Sequence, residues 1–139
     1  MLIRGRIIAL ASIVLLGCYS AATDPGAALP GEVASIRLID QTGTDRTGHL
    51  PLFPGLPESL TVHPYRADGS PITVIEGGAT CTFAFSPTSL AVARPVADPL
   101  TKVVTTTSRP GAGGAFYVTL QFPYDTAAKT FGPFDVLIH

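Results

Sequence analysis

Beyond residue 32, apolar and polar positions alternate in short runs separated by turn residues. Alternation puts every second side chain on one face, the mark of a strand with one buried side. Thr80 to Ser86 (TCTFAFS) sets Cys81, Phe83 and Phe85 against Thr80, Thr82 and Ala84. Ala115 to Phe122 sets Phe116, Val118, Leu120 and Phe122 against Tyr117, Thr119 and Gln121. Phe134 to His139 repeats the pattern, with Phe134, Val136 and Ile138 on one face. The same reading predicts strands over Val33 to Asp40, Glu58 to Arg66, Ile72 to Glu76, Leu90 to Arg94 and Thr101 to Thr107. Residues 43–57 (GTDRTGHLPLFPGLP) are expected to form a Pro/Gly-rich connection. Ala67-Asp68-Gly69-Ser70 and Gly111-Ala112-Gly113-Gly114 are turn signals.

Composition narrows the fold class. The 139 residues suffice for one domain and include 14 Gly and 13 Pro, which oppose long helices. Seven or eight short strands at a spacing of roughly 8–12 residues fit an all-β fold, most economically a sandwich of two sheets. Hydrophobic content of 46% against 14% charged excludes disorder by composition. Without residues 1–17, which carry Arg4 and Arg6, seven basic and ten acidic groups remain, a net of −3. No basic run exists to hold phosphates, so nucleic acid is excluded as a partner.

The first 18 residues carry an address. Arg4 and Arg6 precede an uncharged run of ten residues, Ile7 to Leu16. A transmembrane helix needs about 20 apolar residues, so this run has the length of a signal-peptide core. It ends in Leu15-Leu16-Gly17-Cys18, which resembles the lipobox of bacterial lipoprotein precursors: an aliphatic residue at −3, a small residue at −1, and Cys. Leu16 at −2 is the less usual choice. The resemblance implies a diacylglyceryl group on the Cys18 thiol, cleavage before it, and acylation of the new amino group, with palmitate among the chains. Several acyl chains make a stable anchor where one is marginal. The lipid bilayer is then a partner through Cys18. Residues 1–17 are expected to be the signal peptide, 18–31 a lipidated tether rich in Ala, Gly, Pro, Ser and Thr, and 32–139 the folded domain. Tyr19 stands where an Asp would favour inner-membrane retention, so the implied location is the cell envelope, at the outer membrane.

A second resemblance spans residues 58–122. The turn Asp68-Gly69-Ser70-Pro71-Ile72 is followed by Thr82-Phe83-Ala84-Phe85-Ser86-Pro87-Thr88-Ser89-Leu90-Ala91-Val92 and then by Pro110-Gly111-Ala112-Gly113-Gly114-Ala115-Phe116-Tyr117-Val118. This order is similar to bacterial immunoglobulin-like domains. It departs from them in lacking their usual Trp, for which Phe83 would substitute, and in the Pro133 of the final strand. The resemblance implies an immunoglobulin-like β-sandwich of about seven strands.

Candidate chemistry is sparse. With Cys18 lipidated, Cys81 is a lone thiol in phase with Phe83 and Phe85, and reads as a small buried apolar residue; a reactive thiol is the competing reading. His49, His63 and His139 show no metal-ligand spacing, so no metal is assigned. There is no G-x-S-x-G motif, and Gly111-Ala112-Gly113-Gly114 lacks the Lys-Ser/Thr end of a phosphate loop. Acidic residues such as Asp40 and Asp45 sit at turns, where a weak Ca²⁺ site is the alternative to a solvated loop. Tyr65, Tyr117 and Tyr124 are the candidate interaction surface, because tyrosine suits interfaces. The expected protein is neither an enzyme nor a cofactor carrier. It is a membrane-anchored module that binds or supports an envelope protein or polysaccharide; the alternative is a periplasmic lipoprotein for a small ligand or metal.

Overall fold

The computed structural model describes residues 32–73, 78–123, 125 and 127–139. Cys18, the tether and Tyr124 lie outside the described residues. Eight strands occur in the order β1 Ser35–Asp40, β2 Leu50–Leu52, β3 Glu58–Tyr65, β4 Thr80–Ser86, β5 Val92–Pro95, β6 Thr101–Thr105, β7 Gly113–Gln121 and β8 Lys129–Ile138. No helix occurs among the described residues. One sheet has the order β1-β3-β6-β5 and the other β2-β8-β7-β4. Every pairing is antiparallel except β2 with β8, which is parallel. The described residues are all-β and sandwich-like, with one core of buried residues drawn from both sheets.

The alternation read from the sequence explains that core. Burial along β4 follows the pattern exposed, buried, exposed over its whole length, with Cys81, Phe83 and Phe85 inward. Phe116, Val118 and Leu120 of β7 meet them from the neighbouring strand. Phe116 is fully buried and anchors an aromatic row, with ring centroids 5.9 Å from Phe83, 5.6 Å from Phe85 and 5.3 Å from Phe134. The facing sheet contributes aliphatic side chains instead, among them Leu38, Leu60, Val62 and Val104.

Three sequence expectations need correction. Residues 50–52 form an edge strand where a connection was expected. Leu50 and Leu52 are buried beside Val136 and Ile138, and Pro51 is tolerated because an edge strand needs hydrogen bonds on one side only. Ile72 and Thr73 are not in a strand; Pro71 bridges to Tyr65, and residues 74–77 lie outside the described residues. The last strand starts at Lys129, not Phe134. It runs through Pro133 by way of a bulge opposite Phe116 to Val118, at Gly132. Gly132 has φ of +122°, and a Cβ there would lie 2.9 Å from the Phe116 carbonyl oxygen, so only glycine fits the bend.

Candidate functional site

Backbone groups at the edges of the two sheets are either satisfied locally or left for a partner. At β1 they are satisfied from Leu38 to Asp40. Residues 44–47 fold back along it: Arg46 N–H donates to the Leu38 carbonyl at 2.7 Å, and Leu38 N–H donates to Thr47 Oγ1 at 2.9 Å. Asp40, at the end of β1, holds this return. Its carboxylate accepts from Thr42 N–H at 2.8 Å, Thr42 Oγ1 at 2.6 Å, Thr44 N–H at 2.9 Å and Arg46 Nε at 2.7 Å. The side chain is 1% exposed. These donors, Thr42 hydroxyl foremost, hold the carboxyl well below the ordinary carboxylate range. Asp40 is therefore a structural anchor with its oxygens already engaged.

The arrangement has a sequence signal. Asp40, Asp45 and Asp68 each stand two residues before Thr42, Thr47 or Ser70. Each accepts from the N–H and the hydroxyl of that residue, with hydroxyl distances of 2.6 Å. Asp-x-Ser/Thr is thus a local turn device, repeated three times. It occupies lone pairs that a Ca²⁺ site would need. Among the described residues, no three His, Cys, Asp or Glu side chains converge to hold a metal ion.

The two described candidate tyrosines are not brought together. Tyr65 closes β3 on the outer face of the first sheet, where the Arg37 guanidinium lies 5.0 Å from its ring centroid. Tyr117 lies on the outer face of the second sheet, between the inward Phe116 and Val118. Cys81 carries a free, buried thiol, and burial pushes its pKa up to about 11, which keeps it protonated and inert at neutral pH.

Two other features escape a sequence reading. His49 Nδ1 lies 2.7 Å from Asp135 Oδ2, and the His139 ring bridges His49 (centroids 6.2 Å) to the exposed Phe53 (5.5 Å). The parallel pairing of β2 with β8 assembles them, and no spacing in the sequence reveals it. A depression of about 260 Å³ lies beside β3, lined by Thr61, His63, Pro64, Pro71, Ile72 and Asp98, among others. Asp98 accepts from Thr101 Oγ1 at 2.7 Å and from Leu100 N–H at 3.0 Å, and its pKa is lowered, chiefly by the Thr101 hydroxyl. Its carboxylate is thus engaged in the loop and not offered to a ligand.

The strand edges divide sharply. β2 is three residues long and contains Pro51; β5 is four residues long and contains Arg94 and Pro95. Shortness, proline and charge are the usual protections of an edge. β4 has none of them: seven residues, no charge, no proline, and an unbroken register against β7. No family model matches the chain, and no curated protein matches it.

Proposed function

We propose that the chain is a bacterial envelope lipoprotein, anchored in the outer membrane through acylated Cys18, whose immunoglobulin-like domain is a binding or structural module for another envelope component. The observation that carries the reading is the N-terminal order Arg4, Arg6, an apolar run and Leu15-Leu16-Gly17-Cys18. The strand order supports the immunoglobulin-like part. β1-β3-β6-β5 corresponds to the A-B-E-D sheet of such domains and β4-β7-β8 to C-F-G, with β2 added beside β8. The 13 residues from Tyr19 to Gly31 reach at most about 45 Å when extended, enough to hold the domain clear of the lipid headgroups.

The test is Cys18→Ser in the native host. The unaltered protein is expected in the membrane fraction, with an N-terminal peptide beginning at Cys18 and heavier by its acyl groups. The variant is expected to lose the acyl mass and to accumulate unprocessed. Unchanged processing and membrane association in the variant would contradict the lipoprotein reading.

A further inference from the structure

We infer that β4 is a self-pairing edge, through which two copies of this chain join antiparallel and make one continuous eight-stranded sheet. The first observation is that the edge is unprotected. Among the described residues, the backbone groups on the outer side of Thr80–Ser86 have no hydrogen-bond partner, whereas those of β1 from Leu38 to Asp40 are covered by residues 44–47. The core is correspondingly thin here. Cys81, Phe83 and Phe85 keep 8%, 9% and 6% exposure, against 0% for Phe116 and Val118 on the adjacent strand.

The second observation is self-complementarity. A two-fold axis through Phe83 sets Thr80 opposite Ser86, Thr82 opposite Ala84 and Cys81 opposite Phe85 of the second copy. Every outward pair is small and uncharged, so no like charges meet and no bulky side chain blocks the approach. The inward pairs carry the aromatic row of Phe83, Phe85 and Phe116 across the junction. An arbitrary peptide strand gains the backbone hydrogen bonds but not this match on both faces, which is why a second copy is the occupant.

The third observation lies next to the edge. β5 runs beside β4 on the same flank, and its Val92 (56% exposed) and the following Val96 (42%) are two of the four exposed large apolar residues among those described. Pairing through β4 brings this flank of each copy against the other and shields part of that surface. The inference does not depend on the lipid anchor.

The test uses the full-length chain in detergent, with sedimentation equilibrium reading the association constant. Wild type is expected to form dimers as its concentration rises. Thr82→Lys combined with Ala84→Lys places two like-charged pairs across the axis and should weaken association roughly tenfold or more, with unchanged circular dichroism. Thr82→Lys combined with Ala84→Glu places opposite charges in the same positions and should restore it. A wild type that stays monomeric at the highest attainable concentration overturns the inference. So does equal association of the two charge variants, or an edge occupied only by a different protein in cross-linking from the native envelope. Should the double-lysine variant fail to fold, wild-type amide exchange decides. Protection over residues 80–86 that rises with concentration supports pairing, and protection independent of concentration overturns it.

Discussion

β1 and β4 are edge strands of similar length, six and seven residues, one in each sheet. Their flanks differ in where the free energy of closure comes from. At β1, a polar device closes the edge from outside: a carboxylate shut from solvent gathers four donors and lays residues 44–47 along the strand. At β4, the strand is held from inside, by aromatic rings packed on Phe116, and no described residue covers its outer edge. Each solution suits its sheet. The first sheet has an aliphatic interior and includes the buried Lys102, whose Nζ donates to the Pro99 carbonyl at 2.8 Å. The second holds the phenylalanines of the core. A bare edge is an aggregation hazard in a free protein, so leaving it bare is informative when the other edges are short, charged, prolyl or covered.

The largest loss of stability is expected at Phe116. Phe116→Ala removes the ring on which Phe83, Phe85 and Phe134 pack and should cost about 3–5 kcal/mol in denaturant unfolding. A loss below about 1 kcal/mol would mean that the β4 flank is not held by its aromatic row. Next comes Gly114→Ala. A Cβ at Gly114 would lie 2.3 Å from the Ser86 carbonyl oxygen, so β4 must shift away from β7 at that end. The expected cost is about 1–3 kcal/mol. Faster amide exchange should appear near Ser86 and none near Leu38.

The β1 flank should respond to acid. The Asp40 carboxyl titrates lower in the folded chain than in the unfolded one, so the unfolded state takes up its proton first as pH falls. The stability contributed by Asp40 is complete above its unfolded pKa of about 4 and is lost progressively below it. Asp40→Asn should lower the melting temperature by several degrees at pH 7. It should also flatten the melting curve's dependence on pH below about 4, with the loosened exchange confined to β1 and residues 44–47. A variant as acid-sensitive as wild type would locate that sensitivity in Asp45, Asp68 or Asp98, whose pKa values are also lowered. The smallest effect is expected from Cys81→Ala, about 1 kcal/mol or less, because the thiol acts as a small apolar group at the thinly covered edge. Thiol labelling at Cys81 in the folded wild type at pH 7 should be slow, because that thiol is buried.

The uneven legibility of the fold has a physical cause. β4 was readable residue for residue because its alternation is complete and Pro87 follows it. β7 was nearly so. β2 was hidden because three residues carry too little periodicity, and prolines at 51 and 54 argue for a loop; only the parallel pairing with β8 makes Leu50 and Leu52 core. The start of β8 was hidden by Pro133, which a bulge at Gly132 accommodates. The role of Asp40 was half visible. Asp-x-Thr announces a turn, but that the turn is buried and covers an edge depends on the fold around it. The openness of β4 was not visible at all, since being an edge is a property of sheet order and not of local sequence.

The most direct measurement of the central contrast is amide hydrogen exchange of the full-length chain, recorded at low and high protein concentration and compared strand by strand. Protection over residues 38–40 is predicted to be the same at both concentrations, because the Asp40 device closes that edge within one molecule. Protection over residues 80–86 is predicted to be lower than that of β7 in dilute protein and to rise with concentration. Equal, concentration-independent protection of β1 and β4 would contradict the account.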